Sequence, residues 1–104
     1  MQNSEIIKVV KRYAENLKKS GIFPDAVYLF GSYAKGKQHK DSDIDVAVVS
    51  SHLNEKYDEG RFKLWKLRRD IDLRIEPHGF TPEDWADDSN PMSYEIKKTG
   101  LQIA

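Results

Sequence analysis

A mixed α/β (α+β) domain, in which a small β-sheet is flanked by helices, is the fold class this sequence predicts. Three observations lead there: a first segment with helical apolar period, two short segments that alternate apolar and polar residues, and helical stretches between and after them. The 104 residues fit one domain, 1–104, without a second. Charged residues make up 33% against 38% hydrophobic, so the core is expected to be thin and much of each element to face water or a partner.

From Ser4 to Lys19, Ile6, Ile7, Val10, Tyr13, Ala14 and Leu17 recur at helical spacing, with lysines and Arg12 opposite and Gly21 where a helix would stop. After a Pro24-Asp25 turn, Ala26 to Phe30 is short, apolar and β-prone, and Gly31-Ser32 ends it. The stretch from Ser32 to Lys40 reads as a short helical turn and a loop. Asp43 to Val49 alternates, with Ile44, Val46 and Val48 on one face and Asp43, Asp45 and Ala47 on the other. A loop containing Asn54 precedes a helical stretch carrying Tyr57, Phe62, Leu64, Trp65 and Leu67. Ile71 to Ile75 alternates again, and Pro77 and Gly79 are expected to end that strand. Thr81-Pro82 reads as a helix cap with proline at the first helical position. A last helix from Pro91 to Thr99 stops at Gly100, and Leu101 to Ile103 reads as an edge strand.

Composition excludes several classes. Seventeen basic side chains balance seventeen acidic ones, so this is no general polyanion binder and direct nucleic-acid binding is not expected. With no cysteine there is no disulfide scaffold, thiolate zinc site or thiol catalysis. Apolar runs such as Val46 to Val49 are far too short to cross a bilayer, and residues 1–11 lack the apolar stretch of a secretory signal. No membrane association and a cytoplasmic location are the expectations.

Chemistry is concentrated in acids on strands. Asp43 and Asp45, at i and i+2, leave one side of their strand roughly 7 Å apart. Asp72, between Ile71 and Leu73, is the preferred third acid, with Asp70 at the same parity as the alternative. Oxygen donors without cysteine or histidine suit Mg²⁺, with Mn²⁺ as a second choice. His39, His52 and His78 lack metal-ligand spacing and read as surface residues. Upstream, Gly31 lets a phosphate approach the backbone and Ser32 adds a donor. Lys35 and Ser42 are further candidates for nucleotide contact. Arg74, at the parity of Asp72, is read equally as a phosphate ligand or as that acid's partner. Trp65 and Trp85 read as core or partner contacts. A phosphate cradle beside acids points to a metal-bound nucleoside triphosphate.

Gly31-Ser32, ten residues, then Asp43-Ile44-Asp45 is the pattern of nucleotidyltransferases of the DNA polymerase beta superfamily. The run Phe30 to Gly36 followed by Asp41 to Val46 resembles the minimal nucleotidyltransferase family, in particular its antitoxins. Lys35 departs from the pattern, which often has arginine there and so a planar two-pronged donor. With each residue type at roughly one position in fifteen, the four fixed residues would match by chance about once in several hundred such chains.

The resemblance implies a nucleotidyltransferase fold and metal-assisted transfer of a nucleoside monophosphate, AMP from ATP, to an acceptor hydroxyl. It implies two Mg²⁺ ions held by Asp43, Asp45 and Asp72, with Asp72 also taking the hydroxyl proton. It further implies a partner, a small helical HEPN-domain toxin that this chain, as antitoxin, adenylylates on a tyrosine. The alternatives are a non-catalytic partner-binding module of the same fold and a transferase acting on a small molecule.

Overall fold

The amphipathic first segment forms helix α1 (Asn3–Lys19), and its apolar stripe of Ile6, Val10, Tyr13, Ala14 and Leu17 is buried. This computed structural model describes residues 3–37, 42–53 and 57–104. The expectations for His39, Lys40, Asp41 and Asn54 lie outside the described residues.

Strand β1 (Ala26–Phe30) runs into the four-residue helix α2 (Ser32–Lys35), and β2 (Ile44–Val49) returns antiparallel beside β1. A 3-10 turn (Ser51–Leu53) and helix α3 (Tyr57–Leu67) then carry the chain to β3 (Ile75–Phe80), which lies parallel to β2. Helices α4 (Pro82–Ala86) and α5 (Pro91–Thr99) lead to β4 (Leu101–Gln102), antiparallel to β1. The sheet order is β3-β2-β1-β4. The Thr81 side chain caps α4 by accepting from the Asp84 amide, and Asn90 caps α5 by accepting from the Met92 and Ser93 amides, each before a proline.

Strand parity divides the core. Val27, Leu29, Ile44, Val46, Val48 and Ile75 face α1 and α3 in the larger cluster. Ala47, Val49 and Phe80 face the other way, against Ile96 of α5 and the half-buried Trp85 of α4. Trp85 meets Tyr28 at a tilt and Phe80 edge-on, whereas Trp65 is 42% exposed with the Arg68 guanidinium over its ring.

The third long strand lies further along the chain than its sequence suggests. Of residues 71–75, expected as a strand, 71–74 are a turn that delivers the chain to Ile75, the first residue of β3; Leu73 in that turn is 67% exposed. The turn is held by Arg68, whose backbone carbonyl accepts from the amides of Ile71 and Asp72 and whose guanidinium donates to the carbonyl of Leu73. Pro77 and Gly79, expected to end the strand, lie within it. Proline is tolerated because β3 is an edge strand with β2 as its one neighbour. Glycine at 79 lets neighbours pack closely, since a Cβ there would meet Leu53 at 3.0 Å and Leu64 at 3.1 Å.

Candidate active site

Two backbone features set the site. Phe30, at the end of β1, pairs with Asp45 on β2. Gly31 then turns the chain at φ 75° and ψ −148°, a region that side-chain-bearing residues rarely enter. A Cβ at Gly31 would lie 2.3 Å from Asp45 Oδ2, so the glycine also makes room for that carboxylate. The sequence-predicted group of Gly31, Asp43 and Asp45 is therefore local to the meeting of β1 and β2.

The parallel register of β2 and β3 supplies the rest. Asp45 lies opposite Glu76, and Ala47 opposite His78. Alternation along β3 puts Glu76 and His78 on one face. One ligand atom each from Asp45, Glu76 and His78 lies within 4.8 Å of the other two. Asp43, exposed just ahead of β2, is close enough to Glu76 to raise that acid's proton affinity.

Electrostatics show the strain of this grouping. Glu76 holds its proton more tightly than an ordinary glutamate, first because burial disfavours its charge, then because of the neighbouring carboxylates of Asp43 and Asp45. His78 opposes the shift. The His78 Nε2 lies 3.6 Å from Asp45 Oδ1 and 3.7 Å from Glu76 Oε1, and its ring meets Phe30 edge-on at 5.2 Å. Three crowded carboxylates beside a glycine-cleared turn form a donor set that fits a hard divalent cation.

Asp72, expected as the third acid, stands apart from this group. It sits in the turn before β3, where Oδ1 accepts from the Arg74 amide at 2.9 Å and from Nε at 3.1 Å, and Oδ2 accepts from Nη2 at 2.8 Å. These hydrogen bonds lower its pKa. Arg74 is thus the partner of Asp72, with Nη1 also 3.5 Å from the Tyr33 hydroxyl. Asp70, the alternative, is exposed at the end of a 3-10 turn (Arg68–Asp70). Apolar alternation does not point to Glu76, because the strand begins at Ile75 rather than Ile71, and His78, expected at the surface, is half-buried beside Asp45 and Glu76. Their i, i+2 spacing was the available signal, usable once Pro77 is allowed inside an edge strand.

Among the nucleotide candidates, Ser32 is half-buried at the start of α2 and Ser42 is buried beside Asp43. Lys35 is exposed, 3.8 Å from Glu95. It lines a groove of about 560 Å³ with Phe30, Gly31, Met92 and Thr99.

Comparison with known proteins agrees with this architecture. Over 51 residues the chain is 41% identical to the protein adenylyltransferase MntA of Shewanella oneidensis, a match that takes in 49% of this chain. The chain spans about a third, 34%, of the length of that curated relative. A toxin–antitoxin crystal structure with AMP-PNP is similar over the whole chain and 73% of its own, at 26% identity and a TM-score of 0.64. A crystal structure of a putative nucleotidyltransferase from Sulfolobus solfataricus shares the fold at 21% identity and a TM-score of 0.65, over 94% of this chain and 78% of its own. Residues 6–92, from α1 through all three long strands into α5, match the nucleotidyltransferase domain family, and the chain belongs to it.

Proposed function

We propose that the chain is a divalent-metal-dependent nucleotidyltransferase that moves AMP from ATP onto an acceptor hydroxyl of a partner protein. The partner is a small helical HEPN-type toxin modified on a tyrosine, and this chain is its antitoxin. The observation that carries the reading is the gathering of Asp43, Asp45 and Glu76 around the Gly31 turn. Similarity to a protein adenylyltransferase and to a toxin–antitoxin structure with AMP-PNP supports the choice of nucleotide and acceptor.

Asp43, Asp45 and Glu76 would hold the metal. When bound, the cation supplies charge neutralisation at the triphosphate. Gly31 lets the phosphates approach the backbone, the Ser32 hydroxyl donates to them, and Lys35 adds a positive charge at the groove mouth. The acceptor oxygen attacks the α-phosphorus, an O–P bond forms, the bond from that phosphorus to the α,β-bridging oxygen breaks, and pyrophosphate leaves. Glu76, on the face that carries Asp45, would take the proton released by the hydroxyl. Positioning and charge carry the rate, and no covalent enzyme intermediate is needed.

The test is intact mass of a HEPN-type partner after incubation with the chain, ATP and Mg²⁺. The expected result is a gain of one AMP, lost with Asp43→Asn or Asp45→Asn in a folded chain. A stable complex with no mass gain would replace the enzyme with a binding module.

A further inference from the structure

The geometry points to His78 as a nitrogen ligand in the metal site, which biases that site toward Mn²⁺ over Mg²⁺. The inference rests on the site being a metal centre, as in the proposed function, but adds a donor that the carboxylate motif does not contain. Three observations carry it. First, His78 Nε2 is shielded from solvent and has no hydrogen-bond partner among the described residues, an arrangement that costs free energy unless something occupies the nitrogen. Second, the same atom is nearly equidistant from Asp45 Oδ1, at 3.6 Å, and Glu76 Oε1, at 3.7 Å. Both separations are long for hydrogen bonds. They suit donors sharing one ion, since two ligand atoms each about 2.1 Å from a metal lie roughly 3–4 Å apart. Third, the ring is held by its place on β3 and by the Phe30 edge contact, so the nitrogen is aimed without help from substrate.

Mg²⁺ favours an all-oxygen shell, whereas first-row transition ions accept imidazole readily. One nitrogen among carboxylates therefore shifts selectivity while leaving Mg²⁺ able to bind through Asp43, Asp45 and Glu76. His78 in this role is a ligand of the resting protein, present before ATP or acceptor arrives.

The experiment uses the full chain with Mn²⁺ alone, without nucleotide or partner. Pulsed electron paramagnetic resonance of the Mn²⁺-loaded protein is expected to show coupling to a directly bound nitrogen, which disappears in His78→Gln. Calorimetric titration is expected to give about tenfold weaker Mn²⁺ binding for His78→Gln, with Mg²⁺ binding changed less than about threefold. Absence of nitrogen coupling in the wild-type chain, or an equal loss for both ions in the variant, overturns the inference. If His78→Gln does not fold, the wild-type spectrum still decides. Nitrogen coupling without AMP transfer would sink the proposed function alone, and transfer without nitrogen coupling would sink this inference alone.

Discussion

Gly31 and Asp45 show how a single missing Cβ shapes the site. Gly31→Ala would put a methyl group 2.3 Å from Asp45 Oδ2 in a backbone region that excludes side chains. The expected cost is about 1–3 kcal/mol of stability, read by urea melts, with AMP transfer falling further than stability because Asp45 must move. Glu76 and Asp72 separate just as sharply. Glu76→Gln is expected to lower transfer by about 10³-fold, whereas Asp72→Asn should keep it within a few-fold, both read by label from α-labelled ATP. The pH dependence of Glu76 follows from its raised pKa. Its proton binding favours the folded state fully below its ordinary value of 4.5, and that contribution is lost as pH rises through the higher folded value. In EDTA at neutral pH, Glu76→Gln is therefore expected to melt about 1–3 °C higher than wild type, a small gain because the side chain is only partly withdrawn from solvent. The two should converge near pH 4.5. At this scale the closeness of Gly31 and Asp45 was legible because their motif spacing is local. The pairing of Asp45 with Glu76 was not, because it comes from strand register.

Between elements, α1 is tied to α3 by two buried or half-buried bonds. The Tyr13 hydroxyl donates to the Leu64 carbonyl at 2.7 Å, and Asn16 Nδ2 donates to the Leu67 carbonyl at 2.9 Å. Burial pushes the Tyr13 pKa well above its ordinary value, so the hydroxyl stays a donor at any physiological pH. Tyr13→Phe is expected to cost about 1–2 kcal/mol in urea unfolding, with transfer unchanged once folded. The helices and first two strands were legible because their apolar periods are long or their caps explicit. Strand β3 was not. Apolar alternation at Ile71, Leu73 and Ile75 imitates a strand, but the Arg68 contacts and the Asp72–Arg74 pair make it a turn. The Asp72–Arg74 pair holds that turn above about pH 3.8, and its contribution is lost as pH falls through the lowered folded pKa of Asp72.

Over the whole molecule, the two sheet faces differ in depth. One carries the main core under α1 and α3, while the other carries the smaller cluster against α4 and α5 and, at its edge, the acids. A mixed sheet was predictable from element order, but which strands run parallel decides which acids meet. Asp45 and Glu76 become neighbours through the β2–α3–β3 crossover. An ion gripping both strands would clasp the two ends of that crossover, and the unfolded chain offers no equivalent grip. Melting temperature should then climb with the logarithm of Mn²⁺ concentration once the ion exceeds its dissociation constant. The cation would thus act as a structural fastener as well as a reagent, coupling the persistence of the fold to the supply of metal.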